Sequence, residues 1–297
     1  MLLVTGITGH TGRYFLQQLI DNNYQGKIRC TVRESSNIEI LKNSGLDIDI
    51  VVGDLNNESF INQIMKDVET VFHIYNIYHS PKIIEAAINN KVERAILVHT
   101  TGIYSKYKSA SSEYNRIESE VIKKAKDKIT LTILRPTMIY GDMCDHNMSK
   151  FIKMIDKFRI FPLINGGKSL IQPVNARDLG KAYYDVLMKP EVTADKQYNL
   201  SGDKPISIKE ALTIISNKLD KNTVFISVPI KMSVFAAYIL KGITVGKVNI
   251  VEKVLRMGED RAYSHELAKK DFNYTPMSFD EGIEIEINEF KKINLKI

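Results

Sequence analysis

The sequence predicts an α/β fold, a doubly wound parallel sheet with a smaller C-terminal domain. Three observations predict it. Short apolar runs suited to buried strands alternate with segments of helical apolar spacing through the first half of the chain. The first strand and helix are joined by a turn carrying Gly6, Gly9 and Gly12. After Pro136 the rhythm breaks and loops lengthen, at Gly141–Asn147 and Phe161–Pro173.

Leu2 to Thr5 is an apolar run fit for a buried parallel strand, and Phe15, Leu16, Leu19 and Ile20 then recur at helical spacing. Lys27–Val32 and Ile48–Gly53 read as the second and third strands, with a helix over Phe60–Val68. Thr70–Tyr75 is a fourth strand, and the following helix, Pro81–Asn89, sets Ile83, Ile84, Ala87 and Ile88 on one face. Arg94–Thr100, a helix over Ser112–Lys126 and a sixth strand, Thr130–Leu134, complete the alternation. Right-handed crossovers then give a parallel sheet covered on both faces. Ala176–Met188 is a helix returning to that sheet, and Gln197–Gly202 is another strand. Ser207–Leu219 is a helix with Ser207 and Glu210 at capping-box spacing, followed by a short strand over Thr223–Val228. The expected division is 1–136 plus about 174–204 for the main domain, and about 137–173 plus 205–297 for a mostly helical cap.

Composition narrows the classes. At 297 residues and 44% apolar, the chain can bury a large core. Its net charge of +6 comes without a dense basic run interleaved with aromatics, which argues against a nucleic-acid partner. Cys30 and Cys144 lie far apart, so no disulfide framework is expected, and Gly6 breaks the first apolar run before a secretory signal can form. A cytoplasmic location is the expectation. The late apolar stretch from Val224 onward is cut by Pro229, Lys231 and Lys241, so stable membrane insertion is not expected. Association of Val234–Ile243 with a membrane surface stays open, and a homodimer is compatible with the sequence.

The glycine turn carries chemistry. Gly6 permits a tight turn off the strand, Gly9 lets a phosphate approach the backbone, and Gly12 lets the helix pack close to the strand. N–H groups at the helix start then face a pyrophosphate, favoured by the positive end of the helix dipole. Thr5-Gly6-Ile7-Thr8-Gly9-His10-Thr11-Gly12 resembles the nucleotide-binding turn of the extended and atypical short-chain dehydrogenase/reductases, the superfamily of the sugar-nucleotide epimerases and dehydratases. Asp54-Leu55, the run from Leu134 to Gly141 (Arg135-Pro136 then Tyr140-Gly141), the run from Gln172 to Leu179 and Tyr198-Asn199-Leu200-Ser201-Gly202 resemble further motifs of that superfamily in the right order. The resemblance implies a Rossmann domain with a C-terminal substrate domain, an NAD(P) cofactor and a small-molecule substrate.

Expected cofactor contacts are Gly6, Thr8, Gly9, His10, Thr11 and Gly12 of the turn, Arg33, Asp54, Leu55, Tyr75, Asn76, Pro136 and Ile139. Arg33 ends the second strand, 21 residues past Gly12, where an Asp or Glu would take a ribose 2′-hydroxyl; an Arg suits a 2′-phosphate. NADP is therefore expected over NAD, although Glu34 points the other way. Asp54 and the Leu55 amide would contact adenine; alternatively Asp54 simply forms a turn. Tyr75 stands where the superfamily has small residues and would narrow the cleft. His73, within its strand, reads as a core histidine.

The catalytic motif departs from the pattern. Thr100 matches the Ser/Thr after the fifth strand and Tyr114 matches the Tyr of Tyr-x-x-x-Lys, but Glu118 stands in the place of Lys. A lysine one turn away favours the phenolate, whereas an ionised glutamate opposes it. Arg116 falls on another helical face, and Tyr107 and Lys108 lie in the shortened connection. Three readings follow: a slower or different redox step by Thr100 and Tyr114, chemistry resting on other residues, or dinucleotide binding without turnover. Arg256, in Arg256-Met257-Gly258-Glu259, resembles the segment by which sugar-nucleotide epimerases hold a diphosphate. No metal site is expected: Cys144, Asp145 and His146 are adjacent but have no partner pair at ligand spacing. Asn165-Gly166-Gly167-Lys168 reads as a turn rather than a phosphate loop.

Overall fold

The structure, a computed structural model, describes residues 1–244 and 250–294, without the side chains of 108–110, so Lys108 as a site residue lies outside the described residues. Its centre is a seven-stranded sheet. The strands are β1 (Leu2–Thr5), β2 (Ile28–Val32), β3 (Ile48–Val52), β4 (Thr70–His73), β5 (Arg94–Val98), β6 (Thr130–Pro136) and the edge strand Gln197–Leu200. In space they run from Gln197–Leu200 through β6, β5, β4, β1 and β2 to β3. Every pairing is parallel, as the alternation of strand and helix requires. The order reverses between β1 and β4, which opens a crevice at the carboxyl ends of these strands.

Successive side chains of each strand go to opposite layers. Leu2 and Val4 of β1, with Ile96 and Val98 of β5, pack in one core with α1 (Gly12–Asp21) and the helix Ala176–Met188. Leu3, Ala95 and Leu97 pack on the other side with Ile61, Ile83, Ile84, Ile117 and Val121. These last come from the helices Glu58–Ile64, Ser80–Asn89 and Lys108–Ala125. The inner strands β1, β4, β5 and β6 are thus dry on both faces, which explains why they read as nearly continuous apolar runs, while β3 at the edge is half-buried.

The cap has its own core, built from Tyr140, the helices Met148–Lys157 and Ile208–Lys218, and the final helix Phe279–Asn294. Ser207 caps Ile208–Lys218, its hydroxyl accepting from the Glu210 N–H at 3.0 Å. Two features differ from expectation. A strand, Ile160–Ile164, overlaps the start of the loop expected over Phe161–Pro173, and it pairs in parallel with Val224–Val228. Phe161 and Leu163 alternate inward; Pro162 within the run masks the strand pattern, since proline cannot donate to a ladder. The division expected at 205 assigns all of the C-terminal region to the cap, yet Ala268, Phe272 and Tyr274 pack in the core of the main sheet.

Candidate functional site

The glycine turn is built as tightly as its sequence suggests. Gly6 has φ +79°, and a Cβ there would come within 2.8 Å of the Tyr75 backbone nitrogen at the end of β4. A Cβ on Gly12 would collide with the Gly6 carbonyl oxygen and stand 2.7 Å from that of Ile7. The turn closes through the Gly9 N–H, which donates to the Gly6 carbonyl at 3.0 Å, and α1 begins at Gly12.

Beside this turn lies a cleft of about 320 Å³. Its lining includes Gly6, Thr8, Gly9, His10 and Thr11 from the turn, Arg33 after β2, Asp54 and Leu55 after β3, Tyr75 after β4, and Ile139. Gly12, Asn76 and Pro136 do not line it. Gly12 is buried beneath the turn; Asn76 caps a short helical turn by accepting from the Tyr78 N–H at 3.1 Å; the Pro136 carbonyl accepts from the Thr101 hydroxyl. Arg33 is exposed and makes no ion pair among the described residues. Asp54 does form a turn, one carboxylate oxygen accepting from the Asn56 N–H at 2.9 Å, while it also borders the cleft. Tyr75 stacks on His79, ring centroids 5.3 Å apart. His73 is wholly buried, bonded to the Thr5 hydroxyl at 2.6 Å and the Asn76 carbonyl at 2.8 Å, and burial lowers its pKa to about 3.

A second cavity, about 160 Å³, is lined by Thr100, Ser105, Thr137, Asn147, Arg256 and Arg261, among others. The two arginines are its electrostatic feature. Neither forms an ion pair among the described residues, and the buried Nε of each has no partner there. Burial, and then the like charge of Arg256, hold the Arg261 guanidinium below its ordinary pKa. Arg261 was not legible as a site residue, because its place in the cavity depends on a main-chain contact with Leu170, to whose carbonyl its N–H donates at 2.7 Å. Glu259 accepts from the Ser105 hydroxyl at 2.8 Å and the Lys106 N–H at 2.6 Å, tying the loop after Thr100 to this segment.

Thr100 and Tyr114 meet around Gly102. The Thr100 hydroxyl accepts from the Gly102 N–H at 3.0 Å, and a Cβ on Gly102 would sit 3.1 Å from the Tyr114 ring. The Tyr114 ring also lies 5.9 Å from that of Tyr78. Glu118 turns elsewhere. It is about 5% exposed, and its carboxylate bonds to His99 Nδ1 at 2.8 Å and to Arg135, whose Nε donates at 3.0 and 3.1 Å. Arg135 continues to the Tyr104 hydroxyl and Gln197, and His99 Nε2 lies 3.1 Å from the Ser80 hydroxyl. Desolvation would raise the Glu118 pKa, but the hydrogen bonds from His99 and Arg135 outweigh it and leave the pKa below the usual carboxylate range. The glutamate in the lysine position is therefore one member of a buried, compensated ion network that lines neither cavity.

Asp142, from the loop after Gly141, reaches back over the glycine turn. Its carboxylate accepts from the Tyr14 hydroxyl at 2.9 Å, pairs with Arg13 and lies 3.2 Å from His10 Nε2. Desolvation opposes its charge, yet His10 and Arg13 hold its pKa well below the usual value. Among the described residues no group of three His, Cys, Asp or Glu side chains could hold a metal ion.

Fold and cleft together define a doubly wound α/β protein with a Gly-x-x-Gly-x-x-Gly turn at its topological switch point. The sequence matches the NmrA-like family over residues 1–292, and the chain belongs to that family. No curated protein matches it. Among solved structures it is similar to gox2253, at 17% identity and a TM-score of 0.80, covering 99% of this chain and 98% of that one. It is also similar to the UDP-glucose 4-epimerase of Thermotoga maritima, solved with UDP-glucose, at 16% identity, TM-score 0.75 and 99% coverage of both chains. A UDP-glucuronic acid 4-epimerase of Bacillus cereus, solved with UDP-glucuronic acid and NAD, matches at 16% identity and TM-score 0.75, covering 98% of this chain and 99% of that one. These likenesses establish the shared fold, the one expected from the ordered motifs.

Proposed function

We propose that the chain is an NAD(P)-dependent oxidoreductase of the epimerase/dehydratase kind, acting on a hydroxyl or carbonyl carbon of a phosphate-bearing substrate such as a nucleotide sugar. One observation carries this reading: next to Ile139 of the dinucleotide-type cleft, Thr137 and Met138 border a cavity lined also by Thr100 and two arginines that form no ion pair among the described residues. The compact turn that borders the cleft is possible because side chains are missing at Gly6 and Gly12, where a Cβ would strike backbone, and a turn of this shape would bring main-chain N–H groups to a dinucleotide. Gly6, Thr8, Gly9, His10 and Thr11 would hold its pyrophosphate, Asp54 and Leu55 its adenine, and Arg33 a 2′-phosphate, which favours NADP. A bound nicotinamide supplies or accepts hydride. Thr100 would hold the substrate oxygen and Tyr114 would carry its proton, while Arg256 and Arg261 would neutralise substrate phosphate.

A second reading is favoured by the closed Glu118–Arg135–His99 network: dinucleotide binding by a sensor or assembly protein without turnover, since Glu118 takes the motif place of the lysine that would support Tyr114. Fluorescence titration with NADPH and NADH, followed by oxidation of NADPH with a panel of sugar nucleotides, aldehydes and ketones, separates the two. Turnover lost in Tyr114→Phe supports the enzyme; tight NADPH binding with no turnover on any substrate supports the sensor. No affinity for either nucleotide overturns both.

A further inference from the structure

The helix Ile230–Ile243 is the least explained surface of the molecule. It spans 14 residues, about 21 Å at 1.5 Å per residue, and Ala237 is its one buried residue. Val234 and Ala237 pack inward against Ile164, Val251 and Val254. The opposite side is a continuous apolar stripe in water: Met232, Phe235, Ile239 and Ile243 are 63%, 68%, 47% and 76% exposed, spaced at i, i+3, i+7 and i+11. Leaving such a stripe hydrated is unfavourable, and apolar patches of this kind mark interaction surfaces.

Charge identifies the partner. Residues 221–251 contain Lys221, Lys231, Lys241 and Lys247 and no Asp or Glu. Lys231 and Lys241 are exposed in the first and last turns of the helix, Lys231 beside the stripe and Lys241, four residues after Ala237, on the face away from it. A lysine in the first turn, with no acid beside it, opposes the helix dipole, so helix stability does not account for it. A straight apolar ridge on a helix with ammonium groups in its end turns and no carboxylate along its length is complementary to a lipid surface bearing anionic headgroups.

We infer that the helix Ile230–Ile243 lies in the plane of an anionic membrane surface, with Met232, Phe235, Ile239 and Ile243 among the acyl chains and Lys231 and Lys241 at the headgroups. This is interfacial seating, not spanning: no helix among the described residues is long and apolar enough to cross a bilayer. It stands independently of the proposed chemistry.

The test is co-sedimentation of the full chain with vesicles of phosphatidylcholine alone or with about 30% phosphatidylserine. Expected is partition at least about fivefold stronger onto the phosphatidylserine vesicles, weakened by about 0.5 M salt. The triple variant Met232→Ser, Phe235→Ser, Ile239→Ser should bind roughly tenfold or more weakly while keeping the wild-type melting temperature, since these side chains are already in water. Lys231→Gln with Lys241→Gln should remove the preference for phosphatidylserine. Wild-type protein that stays in the supernatant with both vesicles overturns the inference, as does a triple variant that pellets equally. A wild-type dimer by light scattering that the triple variant dissolves, without vesicle binding, assigns the stripe to a second copy and overturns it as well.

Discussion

Removing the carboxylate at position 118 should damage stability far more than any redox step. In Glu118→Ala, the Arg135 guanidinium, about 6% exposed in the wild type, keeps Gln197 and Tyr104 and loses the one counter-charge it has among the described residues. His99 loses its Nδ1 partner. Breaking a buried pair in this way costs about 3–5 kcal/mol, because an uncompensated charge is left behind. For a chain of this size that lowers the melting temperature by roughly 10 °C. Glu118→Lys, which installs the lysine of the Tyr-x-x-x-Lys pattern, sets an ammonium beside Arg135 and should cost more. Glu118→Gln keeps the shape and loses the charge, so it should fall between wild type and Glu118→Ala. The pH dependence has a definite sign. The folded carboxylate titrates below its unfolded value of about 4.3, so its stabilisation is complete above that pH and is lost as pH falls through the lower folded value. The Gln variant's deficit should therefore shrink in acid. Urea unfolding of the variants between neutral and acid pH is the assay. A Glu118→Ala midpoint within about 1 kcal/mol of wild type would refute the assignment of a compensated ion network.

Four further outcomes follow from the geometry. Gly12→Ala forces a Cβ onto the Gly6 carbonyl, so it should cost roughly 2 kcal/mol or more and abolish nucleotide binding by titration. Arg33→Ala should weaken NADPH by about tenfold or more and leave NADH nearly unchanged; equal losses would remove the 2′-phosphate contact. Arg261→Gln should raise KM for a diphosphate substrate about tenfold while holding or raising thermal stability, since it relieves the like charge beside Arg256 of a half-buried guanidinium that forms no ion pair among the described residues. Burial, with hydrogen bonding to Asp145, pushes Glu286 up to about 10, so the folded state keeps a proton that the unfolded chain loses near pH 4.3; stability should fall as pH rises through that window. Glu286→Gln should flatten this slope and add roughly 1–3 kcal/mol at neutral pH by calorimetry, with little change near pH 4.

The sheet was legible because its inner strands are buried on both faces and its helices carry a clear 3.6-residue period; the helix Ala176–Met188 falls on its expected residues. The glycine turn was legible because each glycine has a local steric reason. Ile160–Ile164 was hidden by Pro162 and by a strand partner some sixty residues away. The partners of Glu118 were hidden for a related reason. His99 and Arg135 end neighbouring strands, and only the packing of Lys108–Ala125 against them brings a glutamate between the two. Thr100 and Arg256 could each be singled out from a motif, but their convergence on one cavity, with Arg261 as a third member, depends on the fold of the cap.

The reach of Asp142 over the first turn has a bearing on how anions would be recognised there. It already occupies Arg13 in an ion pair, so an incoming pyrophosphate would find main-chain dipoles there instead of that guanidinium. Capture at that end would depend on fit to a rigid peptide cradle, and its strength should vary little with ionic strength. Long-range attraction would come instead from Arg33 and from the arginine pair at the far cavity, at opposite ends of the molecule to be held.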